Sequence, residues 1–144
     1  SDTAPLHSLV SAMRGVETDL HVLRDPTRGG VAAALHEIAE TARVNMDLQA
    51  SAIPIERPVR AACELLGLDP LHLACEGRLL AICPAHAADR LLAVMRSHPQ
   101  GRLAARIGSV TEQTDLPPLI SLRTELGGRR IVAWPAGEQL PRIC

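Results

Sequence analysis

The chain has 144 residues, of which 47% are hydrophobic and 22% are charged, so its composition is that of one ordinary globular domain and not of a disordered or fibrous protein. Its net charge of −1 and its 1% of aromatic residues argue against nucleic-acid binding, because they supply neither a phosphate-attracting field nor stacking surfaces. All 15 basic residues are arginine and tyrosine is missing, which excludes a lysine Schiff base, a phosphate-loop lysine and a phenolic acid from this chain.

The first half of the chain is predicted to alternate between helices and strands. Apolar residues at helical spacing predict a first helix that ends near Gly15, and a short strand follows over residues 21–24. A second helix begins after the hexapeptide at 25–30, alternating residues predict a strand over 44–50, and a third helix has Pro58 in its first turn. The apolar faces of these helices are Leu6, Leu9, Val10 and Met13; Val31, Ala34, Leu35, Ile38 and Ala42; and Val59, Ala62, Cys63 and Leu66.

The second half of the chain is predicted to be richer in strands. Its elements, in chain order, are strands over 71–75 and 79–83, a helix over 88–95, and strands over 107–110, 119–124 and 130–134. Glu76-Gly77 indicates that the first two of these strands form a hairpin, and Gly127-Gly128 indicates the same for the last two.

Helices early in the chain and paired strands late in it break the alternation of a β-α-β fold, so we expect an α+β domain with a mixed β-sheet and packed helices. The domain is expected to span residues 1–134, and residues 135–144 are expected to form a flexible tail, because they contain two prolines and no periodicity. Since Ser1 is not a methionine, we expect the chain to be part of a longer protein. No apolar run approaches the roughly 18 residues that span a bilayer, and no signal peptide is evident, so we expect a cytoplasmic protein without membrane contact.

The first candidate site is the hexapeptide Asp25-Pro26-Thr27-Arg28-Gly29-Gly30. A helix N-terminus carries unpaired N–H groups and a partial positive charge, and paired glycines let an anion approach the backbone closely. One interpretation is that residues 27–30 contact a phosphate or a carboxylate. The alternative is that Thr27 or Asp25 caps the helix and the glycines permit tight packing.

Glu76 is the second candidate, because a carboxylate beside a tight turn at the end of a sheet can act as a base or accept an N–H. The alternative is a solvated turn residue. His36 and Glu40 lie one helical turn apart, a spacing that suits a metal, but no third ligand is evident and a solvated helix face is the favoured interpretation. We therefore predict no metal site.

The cysteines are the third point of interest. They form no close pair, so a disulfide framework is not expected, and Cys63, Cys75 and Cys83 are predicted to be small structural side chains. Cys144 is the last residue, on an unpatterned tail, and a thiolate there could carry an acyl-type group between sites. The alternative is an accidental terminal cysteine.

Four motifs together resemble one family, the HypE hydrogenase maturation factors. They are Asp25-Pro26-Thr27-Arg28-Gly29-Gly30, Ala61-Ala62-Cys63-Glu64-Leu65-Leu66-Gly67-Leu68-Asp69-Pro70, Glu76-Gly77 and Pro141-Arg142-Ile143-Cys144. The resemblance spans nearly the whole chain but only the C-terminal half of that family, a domain shared in outline with aminoimidazole ribonucleotide synthetase. It implies the fold of the C-terminal domain of these synthetase-like proteins.

The resemblance also implies a chemistry. In this family the terminal cysteine receives a carbamoyl group from the carbamoyltransferase HypF, ATP activates the carboxamide oxygen, and dehydration leaves a thiocyanate. Its cyanide passes to the iron of nickel–iron hydrogenase, held by HypC and HypD. Carried over by motif, Cys144 is the carrier, Glu76 is the base or N–H acceptor, and residues 27–30 face the phosphates or the incoming tail. ATP with Mg would be bound mainly by an N-terminal domain that this chain lacks, and the full-length protein would be a homodimer.

Three positions depart from the family pattern. Cys75 and Arg78 stand where Asn and Lys flank the Glu-Gly pair in relatives, and His36 stands where Asn is common. A cysteine has no amide group, so the Cys75 side chain cannot donate the amide hydrogen bonds of an Asn at this position. Two other functions remain open: another ATP-dependent synthetase or kinase of the same superfamily, and a non-catalytic module that docks partners. We expect the isolated chain to hydrolyse no ATP.

Overall fold

The computed structural model describes residues 4–15, 20–113 and 117–135. Its helices and strands are α1 His7–Arg14, β1 Val22–Arg24, α2 Gly30–Ala42, β2 Val44–Gln49, α3 Arg57–Leu66, β3 Leu80–Ile82, α4 Ala88–Ser97, β4 Gly108–Glu112, β5 Ile120–Arg123 and β6 Arg129–Ile131. Short 3-10 turns lie at Ala50–Ala52, Pro70–His72, Ala85–Ala87 and Pro99–Gly101.

The main sheet has four strands in the order β4-β2-β5-β6. The central strand β2 pairs antiparallel with β4 and parallel with β5, and β5 pairs antiparallel with β6. The described elements therefore combine a mixed sheet with separate helices, which confirms the α+β prediction. The turn at Gly127, where φ is +85°, joins β5 to β6 and confirms the predicted hairpin.

Helix α2 packs on one face of this sheet and forms the larger core. Met46 and Leu48 of β2 and Ile120 of β5 are nearly inaccessible to solvent, and they cluster with Leu35 of α2. The alternation of β2 predicted this burial, since every second side chain of a strand faces the same side. On the opposite face, the buried Ser121 hydroxyl donates to the Asp47 carboxylate of the neighbouring strand.

A second, smaller cluster joins α1 and α4 to the short sheet formed by β1 and β3. Leu9 and Met13 of α1 meet Leu91 of α4, and all three are buried. Helices α1, α3 and α4 are found close to their predicted positions. Gly67 ends α3 with a φ of +67°. No helix in the described ranges is both long and apolar enough to cross a membrane.

The predicted hairpin centred on Glu76-Gly77 is wrong. Residues 71–75 form no strand; the Asp69 side chain accepts the Leu71 N–H at 3.0 Å and starts a 3-10 turn at Pro70–His72. An Asp-Pro pair favours a turn of this kind, and here it overrides the alternation of the residues that follow. Strand β3 pairs antiparallel with β1 instead, so Glu76 lies on a loop that leads into the smaller sheet.

Candidate functional site: a pocket beside the start of helix α2

The hexapeptide at 25–30 connects β1 to α2, as predicted, but no side chain caps the helix. Gly29 is the N-cap residue, with a left-handed φ of +70°, and no side chain of the described chain makes a capping hydrogen bond there. The Gly30 N–H donates to the Thr27 carbonyl at 3.0 Å. The expectation that Thr27 or Asp25 caps the helix is therefore wrong, and backbone geometry takes that role.

Gly30 is required by close packing. Its φ is +63°, and a Cβ added there would lie 2.4 Å from the Leu73 carbonyl oxygen and 2.6 Å from that of Leu71. These distances are far inside normal contact, so the turn at Pro70–His72 is pressed against the first residue of α2. The packing interpretation of the glycine pair is confirmed here, and the Cβ side of Gly30 has no room for a phosphate.

Glu76 lines a pocket of about 530 Å³, together with Asp25 of the hexapeptide. The Cys75 N–H donates to the Pro26 carbonyl at 2.9 Å, which ties the loop of Glu76 to the hexapeptide. Gly77 follows with a φ of +75°, so the predicted turn at Glu76-Gly77 is confirmed although the predicted strands are not. The Glu76 side chain is exposed.

The pocket combines two basic and two acidic side chains with an apolar wall. Arg24, Asp25 and Arg78 line it together with Glu76. Arg24 is held by α2, because its Nη2 lies 2.6 Å from the Glu37 carboxylate. The apolar wall is formed by Ala4, Pro5, Leu6, Leu23 and Leu79.

Only some of the predicted site residues line the pocket. Within the described ranges, Asp25 joins Glu76 in the pocket, whereas Thr27, Arg28, Gly29 and Gly30 are not among its lining residues. The pocket is of ligand size, and its arginines are of the type that contacts phosphate oxygens. Within residues 4–15, 20–113 and 117–135, no three His, Cys, Asp or Glu side chains gather as a metal site.

Two histidines form hydrogen bonds to the backbone that the sequence did not predict. His36 Nε2 lies 2.9 Å from the Val132 carbonyl oxygen, and its ring meets the edge of Trp134 at a centroid distance of 5.1 Å. The interpretation of His36 as part of a solvated helix face is wrong, although Glu40 is exposed. His72 Nε2 lies 3.1 Å from the Ala133 carbonyl oxygen. Nothing local in the sequence marks these partners, because 96 and 61 residues separate them from their histidines.

The cysteines fall into two groups. Cys63 is 3% exposed within α3, which confirms its structural role, and Cys75 and Cys83 are half-buried. Cys75 lies on the loop before Glu76, where its thiol contacts the Leu73 carbonyl. Cys144 and the rest of the predicted tail after Pro135 lie outside the described residues, so the carrier role of Cys144 stays a prediction.

Comparison with known sequences gives a matching family and a similar relative. The model of the family described as AIR synthase related protein, C-terminal domain, matches residues 2–117. The chain is 56% identical over 144 residues to the carbamoyl dehydratase HypE of Cupriavidus necator, covering all of this chain and 40% of that protein. It thus spans less than half the length of that relative.

Two solved structures share the fold. A hydrogenase maturation protein HypE in complex with ATP superposes with a TM-score of 0.89 and 45% identity, covering 100% of this chain and 44% of that one. A HypE–HypF complex gives a TM-score of 0.87 and 38% identity, covering 94% of this chain and 43% of that one.

Proposed function

The chain belongs to the HypE family of carbamoyl dehydratases, among the AIR synthase related proteins, and from this premise we propose that it is the substrate-carrying C-terminal part of such an enzyme. The complete enzyme would convert an S-carbamoyl group on Cys144 to a thiocyanate, whose cyanide becomes a ligand of the iron in nickel–iron hydrogenase. The observation that carries the proposal is Glu76, held on a tied loop at the rim of an arginine-lined pocket.

The reaction balances as a dehydration driven by phosphoryl transfer. The thiocarbamate R–S–C(=O)–NH2 and ATP give R–S–C≡N, ADP and inorganic phosphate, and the carboxamide oxygen leaves with the phosphate. Phosphorylation is the chemistry that ATP supplies, since oxygen is a poor leaving group until it is phosphorylated. Two N–H protons must also leave nitrogen, so a base has to reach the carboxamide.

Glu76 suits the role of that base. It is exposed at the pocket, and its loop is fixed at both ends, by the Cys75 hydrogen bond to Pro26 and by entry into β3. Arg78 lies two residues further along the chain, and it lines the same pocket together with Arg24 and Asp25. The Glu76 carboxylate offers oxygens that can accept an N–H from a carboxamide carried into the pocket.

The remaining parts of the machinery are proposed from the family. ATP with Mg would bind mainly to an N-terminal domain of the kind that the longer relatives possess, and Arg24 and Arg78 would face its phosphate end. HypF would load Cys144, the HypC–HypD complex would accept the cyanide, and the complete protein would act as a cytoplasmic homodimer. A solved HypE–HypF complex and a HypE structure with ATP support the first partner and the nucleotide.

The proposal is tested by joining the chain to a HypE N-terminal domain and supplying a carbamoyl donor with ATP. The mass of the C-terminal peptide should first rise by one carbamoyl group and then fall by one water. Glu76→Gln should keep the first change and lose the second, whereas Glu40→Gln, an exposed glutamate outside the pocket, should lose neither. If Cys144→Ala still shows both changes, the assignment is wrong.

A second comparison separates this function from a free-substrate enzyme of the same superfamily. Deletion of Arg142–Cys144 removes the proposed carrier without touching a described residue. A dehydratase that works on its own tail should lose all turnover, whereas an enzyme acting on a free substrate should keep its rate. A domain that only docks partners predicts a third result, in which Glu76→Gln leaves dehydration intact.

A further inference from the structure

The segment Val132–Pro135, here called the tail root, is held by five contacts. The Val132 N–H donates to the Ile120 carbonyl at 2.9 Å, which continues the pairing of β6. The Val132 and Ala133 carbonyls accept from His36 and His72, since a carbonyl accepts only and each Nε2 must carry the proton.

The last two residues of the tail root, Trp134 and Pro135, make contacts with helix α2 and its N-cap residue. Trp134 meets the ring of His36 at an interplanar angle of 65°, an edge-on arrangement that aromatic rings favour. Pro135 lies against Gly29, where an added Cβ would come within 3.2 Å of the proline Cγ. The glycine pair thus serves two neighbours: Gly30 admits the turn at Pro70–His72, and Gly29 admits the tail root.

His72 lies beside the Asp69 carboxylate, although its Nδ1 makes no hydrogen bond to it. Its side chain is 11% exposed, and its Nδ1 lies 3.6 Å from the Asp69 carboxylate. The same carboxylate oxygen accepts from Arg130 Nη2 at 2.7 Å, just before the tail root. Asp69, at the start of the 3-10 turn, pairs with Arg130, and His72, at its end, donates to the Ala133 carbonyl. The turn therefore contacts the C-terminal segment at two positions.

We propose that His36 and His72 are positioning residues that fix the point at which the carrier tail leaves the domain. This inference rests on the proposed function of Cys144 as the carrier. Neither histidine touches the carboxamide; both act through the backbone of the tail root. The anchor lies beside the motif that also holds the loop of Glu76, so one short stretch of chain positions the departure point of the cargo and its destination.

The distances are consistent with this role. Nine residues, 136–144, follow Pro135, and they span about 30 Å when fully extended. Pro135 lies against Gly29, and Pro26 of the same hexapeptide accepts from the Cys75 N–H, so the start of this run and the loop of Glu76 contact one motif. Without the anchor, the free run would begin near Ile131, and the effective concentration of the thiol at the pocket would fall about 1.7-fold, because it varies as roughly the −3/2 power of the length of the run.

The first test uses Trp134, the one tryptophan in a chain without Phe or Tyr, as a reporter on the 144-residue protein. The double variant His36→Ala/His72→Ala should lower the anisotropy of Trp134 emission and raise its quenching by acrylamide, with an unchanged far-UV circular dichroism spectrum. The matched control His86→Ala, at an exposed histidine of another turn, should change neither. Unchanged anisotropy in the double variant would overturn the anchor.

The second test separates positioning from a merely structural role, in the chain joined to its N-terminal domain. Loss of water from carbamoylated Cys144 should slow about 1.7-fold in the double alanine variant, because the effective concentration of the thiol at the pocket falls, while carbamoylation of Cys144 should not slow. His36→Gln/His72→Gln should restore the rate, since the amide of Gln donates from a similar position.

The outcomes of this test are distinct. Equal slowing of both steps, or failure of the glutamine pair to restore dehydration while folded, would overturn the positioning role. If the wild-type protein never loads Cys144, the proposed function fails and the positioning role fails with it. In that case the emission of Trp134 still shows whether the contacts of the tail root exist.

Discussion

Substitution of Gly30 by alanine should be one of the most damaging single-atom additions to this domain. The left-handed backbone costs an alanine about 1–2 kcal/mol. The new Cβ would also lie 2.4 Å from the Leu73 carbonyl oxygen, so helix and turn must separate by nearly 1 Å, at a cost of about 1–3 kcal/mol for overpacking. We therefore expect Gly30→Ala to lower the free energy of unfolding by about 2–5 kcal/mol, out of about 5–15 kcal/mol for a typical domain.

Gly67→Ala is the matched control for this prediction. Gly67 has nearly the same φ, +67°, but nothing lies within 4 Å of its added Cβ. Only the backbone contribution of about 1–2 kcal/mol should remain. Urea unfolding followed by circular dichroism gives both values, and Tm should fall by about 4 °C per kcal/mol. Equal losses for the two variants would refute the close packing of the Pro70–His72 turn against α2.

Three further substitutions test other parts of the structure by the same unfolding assay. Asn45→Ala removes the acceptor of the Leu119 N–H, 2.7 Å away, and should cost about 1–3 kcal/mol; a neutral result would place that N–H in solvent. Met13→Ala empties a fully buried position of the smaller cluster and should cost about 2–5 kcal/mol, whereas a loss below 1 kcal/mol would show that the cluster is not a packed core. Leu126→Asp changes a side chain that is 99% exposed and should shift stability by less than about 0.5 kcal/mol; a larger loss would contradict its exposure.

The features that could be predicted from sequence are those with local causes. Pro58 and Gly67 bound α3 because a proline suits the first turn and a glycine suits the left-handed end. Gly127 marks the β5–β6 turn for the same conformational reason. The mixed sheet was predicted from the order of the elements, because helices come early in the chain and paired strands come late.

The features that were missed depend on contacts between distant residues. Alternation over 71–75 resembled a strand, yet the stretch is held as a turn by Asp69 and pressed against Gly30. His36 has ordinary helix-face spacing, and only the folded chain brings the Val132 carbonyl to its ring. Spacing along the sequence carries no information about such partners.

The composition of the pocket also depends on residues that are distant in sequence. Glu76 could be chosen from its glycine neighbour and the family motif, but Arg24 and Asp25 join it only because β1 lies beside β3. Contact with a ligand was one of two interpretations of residues 27–30, and the two glycines are used for packing. A motif marks a region of importance more reliably than it tells which atoms of that region meet a substrate.

The parallel pairing of β2 with β5 has a consequence for biosynthesis. Asp47 and its partner Ser121 are 74 residues apart, so the middle of the sheet stays open until nearly the whole chain has been made. Such distant pairing slows folding relative to a helical domain of equal size. A polypeptide terminated before Ile120 would leave β2 with a bare hydrogen-bonding edge and uncovered apolar side chains, a form prone to self-association and to removal by proteases.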